Sequence, residues 1–137
     1  MTINAGCLCG KVRIAIEGEP LRTRTCWCRD CQYWAAGNGT TNALYRLEQV
    51  SFTGEVNWYE SLADSRNVMR RGFCPNCGTA LLTGPARDPA FLGVRAGAFD
   101  DPNLVRPTEV IWSESAPDWA VLDPALPRHP RQPEPIG

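Results

Sequence analysis

The residues able to do chemistry in this chain are its seven cysteines, which stand in three groups. They are Cys7-Leu8-Cys9-Gly10, Cys26-Trp27-Cys28-Arg29-Asp30-Cys31 and Cys74-Pro75-Asn76-Cys77-Gly78. Thiolates suit the borderline-soft Zn²⁺ ion, which takes four tetrahedral ligands in structural sites. The third group is a C-x-x-C followed directly by Gly, the form of a zinc knuckle, in which two intervening residues let the backbone wrap one ion and Gly frees the next turn. One knuckle supplies two ligands, and Cys7 with Cys9, also followed by Gly, are the natural partners. Cys7, Cys9, Cys74 and Cys77 are thus expected to close a structural zinc site across about 65 residues of chain. Binding there counts as folding free energy, on the order of 10 kcal/mol in small peptides. Buried or redox thiols, or another pairing of the three groups, are the competing readings.

The middle group is different, because Cys26, Cys28 and Cys31 place three sulfurs within six residues. A three-ligand zinc keeps a fourth position for water or substrate, the mark of a catalytic site. The single histidine, His129, lies in a proline-rich tail, and no cysteine is left over. The rival is a closed site completed by Asp30, a nearby Glu or a second chain. Three thiolates leave the ion a weak Lewis acid, so activating water is less natural here than binding an incoming thiol as a nucleophilic thiolate. Such a thiolate could attack an aldehyde carbon, or leave from a hemithioacetal in reverse. Asp30 is the nearest carboxyl for a general acid, although a turn or cap role explains it equally. Arg29, Arg70, Arg71 and Arg95 are candidates for a substrate carboxylate, with Arg29 favoured by position, since guanidinium pairs carboxylates bidentately. Trp27, Tyr33 and Trp34 are candidate pocket walls, against plain core packing.

Short strands must position these groups. Lys11–Glu17 alternates polar and apolar residues as a half-buried strand does, and Gly18-Glu19-Pro20 ends it. Further strands are expected over 42–46, 50–53, 56–59, 69–73, 91–95 and 110–112, with Gly54-Glu55 as a tight hairpin turn. The best helix signal is a short turn after Cys28, with Asp30 near its start and Gly37 closing it. The expectation is a mostly-β domain over residues 1–123. Residues 124–137 hold five of the twelve prolines and are expected to form a tail on the surface or without order.

At 137 residues the chain falls in the single-domain range, long enough to bury one core. A formal net charge of −1 gives no reason to expect nucleic acid or an anionic membrane as partner. The start, Met1 to Cys7, has neither a basic segment nor an apolar run, so cytoplasm is the default, where thiols stay reduced and ligate metals before they form disulfides. The odd cysteine count agrees.

Together, Gly6-Cys7-Leu8-Cys9-Gly10-Lys11-Val12, Cys26-x-Cys28-x-x-Cys31 and Gly72-Phe73-Cys74-Pro75-Asn76-Cys77-Gly78 resemble the glutathione-dependent formaldehyde-activating family, which includes centromere protein V. Val94 to Asp100 with Asp101-Pro102, and Ile111-Trp112, fit as well, so the resemblance runs to about Trp119. It implies a β-tent domain with two zinc ions, a structural one on Cys7, Cys9, Cys74 and Cys77 and a catalytic one on Cys26, Cys28 and Cys31. It also implies carbon–sulfur lyase activity on a small thiol or thiol adduct, in the family's first-described case the addition of glutathione to formaldehyde. The chain carries Trp27 where the family often has His, and Gln32 where it often has Arg. Arg29 and Trp27 are the expected substrate contacts. The competing classes are a non-catalytic zinc module that binds a protein partner and a thiol or metal sensor.

Overall fold

The computed structural model describes residues 1–87 and 89–134. Ten strands dominate: β1 (Thr2–Gly6), β2 (Arg13–Glu17), β3 (Arg22–Cys26), β4 (Thr40–Arg46), β5 (Val50–Thr53), β6 (Asn57–Leu62), β7 (Val68–Phe73), β8 (Ala80–Pro85), β9 (Phe91–Arg95) and β10 (Glu109–Ile111). A single α-helical turn, α1 (Arg29–Trp34), follows Cys28. The fold is mostly β, as expected.

The strands form two sheets. β1-β2-β5 is a small one, and β10-β3-β4-β9-β8-β7-β6 runs seven strands across the molecule. Pairing is antiparallel except where β10 joins β3 in parallel. Gly54-Glu55 is not a hairpin turn. β5 pairs with β2 and β6 with β7, so this turn carries the chain from one sheet to the other. Gly54 has φ +94°, and a Cβ there would stand 2.2 Å from the carbonyl oxygen of Lys11. That close approach to another backbone is what the position requires of glycine.

Strand alternation gives the large sheet two unlike faces. On one side Ala43 and Tyr45 of β4, Leu92 and Val94 of β9, and Leu81 and Leu82 of β8 pack with Ala5, Val12, Ile14 and Ile16 of the small sheet into the core. Both leucines of β8 point inward because the register with β7 shifts beside them: Phe73 faces Ala80 while Gly72 faces Leu82. Such a bulge hides a strand from a strict alternation pattern. On the other face β3 presents Arg24 and Cys26, β4 presents Asn42 and Leu44, β7 presents Met69 and Arg71, and β9 presents Phe91 and Arg95; all of these border one cavity.

The proline-rich end is tied down as far as it is described. The His129 N–H donates to the Val110 carbonyl at 2.8 Å, and the Val110 N–H donates to that of Pro127 at 2.9 Å. Arg128 bridges Val110 in parallel, as a short continuation beside β10. Residues 135–137 of the expected tail lie outside the described residues. No helix among the described residues is long and apolar enough to cross a membrane.

Candidate functional site

The cysteines assemble into two groups, with the sulfurs of each within 4.8 Å of one another: Cys7, Cys9, Cys74 and Cys77 in one, Cys26, Cys28 and Cys31 in the other. They lie on opposite faces of the large sheet. Cys7 and Cys74 are part of the core on the apolar side, whereas Cys26, Cys28 and Cys31 cluster with Ile111 and Trp112 beside the cavity.

Two similar turns build the four-sulfur group. Gly10 donates to the carbonyl of Cys7 at 3.1 Å, and Gly78 to that of Cys74 at 2.8 Å. Both glycines are left-handed, at φ +81° and +77°, so each turn folds back just after its second cysteine. The turns are joined by Leu8 N–H donating to Thr79 Oγ1 at 3.1 Å, while Val12 N–H donates to Cys7 Sγ at 3.2 Å. Sulfurs on the edge of a tetrahedron with 2.3 Å zinc–sulfur bonds stand about 3.8 Å apart. The Cys7–Cys9 and Cys9–Cys74 sulfurs are 3.6 and 3.8 Å apart. The four residues fit a tetrahedral metal ion.

The three-sulfur group sits where β3 ends and α1 begins. Cys26 closes β3, Cys28 caps α1 by accepting from Cys31 N–H at 3.4 Å, and Cys31 lies one turn on. All three are buried. Hydrogen bonds from Cys26 and Cys28, with further help from Thr40 and Arg95, hold the Cys31 thiol far below its ordinary range against the opposing effect of burial. The same sharing pushes Cys26 far up, first through its bonds to Cys28 and Cys31 and then through burial. Three buried thiols this close resist carrying three negative charges together, a cost that a bound cation would offset.

Among the described residues no fourth ligand atom joins this group. Asp30 turns away to Arg71, whose Nη2 donates to its Oδ2 at 3.4 Å. His129 faces Glu109, with Nε2 3.1 Å from Oε2. The open side of the three sulfurs gives onto a cavity of about 390 Å³. Its rim includes Ala63, Asp64 and Ser65 of the β6–β7 turn, together with Trp112 and Gln132. Trp112 has a left-handed backbone at φ 55°, and its indole Nε1 donates to Gln132 Oε1 at 2.9 Å, so the C-terminal segment is fastened at the cavity mouth.

The substrate contacts expected from sequence are placed unevenly. Arg71 and Arg95 line the cavity. Arg29 does not: it bonds Gln32 Oε1 and lies 5.0 Å over the ring of Tyr33. Arg70 stacks 4.1 Å over Trp58. Trp27 is buried away from the cavity, against Gly39, where a Cβ would approach its ring to 3.0 Å. Tyr33 is 77% exposed, and Trp34 packs on Phe73 with ring centroids 5.9 Å apart. Gln32 is buried and structural: its Nε2 donates to the carbonyls of Trp27 at 2.8 Å and Ser115 at 3.0 Å, anchoring the cysteine loop to the end of the domain. Arg24, Asn42 and Asp64 are among the cavity residues that sequence reasoning missed. The Arg-Thr-Arg-Thr run of β3 has no apolar alternation to mark it as a strand.

A two-sheet β domain with one four-cysteine and one three-cysteine group, each able to hold a metal ion, is the class these features define. The family model for glutathione-dependent formaldehyde-activating enzymes matches residues 2–115, and the chain belongs to that family. The crystal structure of a protein from Rhodobacter sphaeroides is similar to it, with 22% sequence identity and a TM-score of 0.59, covering 77% of this chain and 97% of that one. At that identity the likeness speaks for the fold alone. No curated protein matches the chain.

Proposed function

We propose that the chain is a zinc-dependent carbon–sulfur lyase of the glutathione-dependent formaldehyde-activating type, acting on the adduct of a small thiol and an aldehyde, with glutathione as the reference thiol. The observation that carries this reading is the three-sulfur group that lacks a fourth ligand among the described residues and opens onto a cavity. Held there by three thiolates, zinc would supply a position at which a substrate sulfur is kept as thiolate. A second zinc on Cys7, Cys9, Cys74 and Cys77 would be structural, since four sulfurs there already complete a tetrahedral set and leave no position for a substrate.

In the breaking direction the adduct's hydroxyl gives up its proton, the carbon–oxygen bond closes to a carbonyl, and the carbon–sulfur electron pair leaves with sulfur. Joining runs the same steps in reverse. Asp64, the one carboxylate among the described residues lining the cavity, would be the candidate to take and return that proton. The apolar wall of Leu44, Met69, Phe91 and Ile111 limits water around the reacting carbon.

The test is magnetisation-transfer NMR on ¹³C-labelled formaldehyde in exchange with its glutathione adduct. Wild type should accelerate exchange at least tenfold over buffer, and Cys28→Ser should remove the effect. No acceleration with glutathione or with short thiols would refute the lyase reading and favour a non-catalytic zinc module.

A further inference from the structure

The last residue to join the three-sulfur group does so against the alternation of its strand. Ile111 stands opposite Cys26 in the parallel pairing of β10 with β3, and both line the cavity. Extended by one residue, that pairing would set Trp112 opposite Trp27, on the alternate face of the sheet, and Trp27 is buried away from the cavity. Trp112 instead lines the cavity and packs against the cluster of Cys26, Cys28, Cys31 and Ile111. Its left-handed backbone, at φ 55° and ψ 35°, makes the difference, because the chain leaves the sheet there and the indole comes round to the sulfur side. A bulky side chain is disfavoured in that backbone region unless its surroundings hold it, and such strained positions cluster at ligand clamps.

The C-terminal segment supplies the hold. The Trp112 N–H donates to the Arg131 carbonyl at 3.3 Å, and the Ser113 N–H donates to that of His129 at 3.1 Å. Ser113 Oγ donates to the same His129 carbonyl at 3.2 Å, and Arg131 pairs with Glu114. Before the strained residue, Pro127 and His129 take the N–H and the carbonyl of Val110. The side chain is fixed too, by its indole Nε1 donating to Gln132 Oε1 at 2.9 Å. Residues 127–132 thus grip the chain on both sides of Trp112 and the indole itself.

We propose that Trp112 is the specificity-determining wall of the open metal position, held in place by the strap of residues 127–132. For its substrate the proposal rests on the lyase reading above and deepens it. The indole bounds the space beside the three sulfurs, so it stands against the carbon attached to a substrate sulfur bound there. An unbranched carbon clears the ring, and a tertiary carbon meets it. The substrate class is therefore primary thiols and their adducts with the smallest aldehydes.

Calorimetric titration of zinc-loaded protein with ethanethiol and with 2-methyl-2-propanethiol tests this, with zinc counted in each sample. Wild type should bind ethanethiol at least tenfold more tightly. Trp112→Gly removes the ring while suiting the left-handed backbone, and should bring the two thiols within threefold. Gln132→Ala should lower the preference severalfold, and Gln132→Glu, which keeps an acceptor for the indole N–H, should retain it. In wild type, nuclear Overhauser contacts should join the methyl protons of bound ethanethiol to the Trp112 ring, a readout that needs no variant to fold. Equal binding of the two thiols by wild type, binding of neither, or no contact with the indole would overturn the proposal. So would a preference undiminished in Trp112→Gly, and one undiminished in Gln132→Ala would overturn the part given to the strap. Thiol selectivity without accelerated formaldehyde exchange would leave Trp112 its role and sink the lyase reading. Accelerated exchange with both thiols bound alike would do the reverse.

Discussion

Removing the ligands of one cysteine group should cost far more stability than removing those of the other, and the difference can be worked from loop lengths. Cys9 and Cys74 are separated by 65 positions, so an ion held between them closes a long loop. By the chain-entropy relation for cross-links, closing a loop of that length is worth about 4 kcal/mol. Cys26 to Cys31 spans six residues, and the same relation gives about 2 kcal/mol. The matched perturbations are the double variant Cys9→Ser with Cys77→Ser and the single variant Cys28→Ser, each of which leaves two sulfurs in its group. Cys9 is exposed and Cys77 half-buried, so the double variant leaves the core sulfurs Cys7 and Cys74 in place. Serine at 28 keeps an oxygen to cap α1, which protects that turn. For a domain of this size about 4 kcal/mol corresponds to a fall in Tm of roughly 10–20 °C. Scanning calorimetry under a non-chelating reductant, with zinc counted in each sample, should show a loss of that order for the double variant and roughly half or less for Cys28→Ser. A double variant that lost its zinc yet melted within roughly 3 °C of wild type would refute the claim that the four-sulfur group ties the two sheets together.

Leu82→Ala, in a wholly buried side chain on the core face, should cost about 2–5 kcal/mol by urea denaturation while Cys26, Cys28 and Cys31 on the opposite face still take up metal, and loss of metal from that three-sulfur group would contradict the separation of the two faces. Gly78→Ala should cost about 1–2 kcal/mol through its φ of +77° alone, because nothing lies within 4 Å of the new Cβ; an unchanged denaturation midpoint would show that the turn relaxes freely. Protons compete with metal for thiolates, so stability present near neutral pH should be lost as pH falls, with zinc release and loss of far-UV circular dichroism coinciding; unfolding well before zinc release would contradict coupling between the four-sulfur site and the fold.

Much of the site could be read from sequence because ligand spacing is local chemistry. The paired turns of Cys7-Cys9-Gly10 and Cys74-Cys77-Gly78 come together across the sheets, and Cys26, Cys28 and Cys31 converge beside α1. Strands β5 and β9 fall on the residues that alternation picks out. What escaped was whatever depends on register. β3 alternates Arg with Thr and so carries no apolar signal, while in β8 the bulge places two successive leucines inward and erases the period. β1 is too small and polar in Thr2-Ile3-Asn4 to stand out. Nearness in sequence to the cysteines favoured Arg29, yet the helical turn points it at Tyr33, and the cavity takes Arg24, Arg71 and Arg95 from three separate strands. Which arginines share a face is decided by strand order, and the local sequence does not encode that order.

The central claim is an open metal position beside the cavity, and X-ray absorption at the zinc edge tests it most directly. Protein loaded with zinc and counted for metal would be measured with and without a small thiol. Two ions per chain, with an average sulfur coordination of about 3.5 rising toward 4 on adding thiol, is the expected result. One ion, or two ions whose sulfur count ignores the thiol, would contradict it.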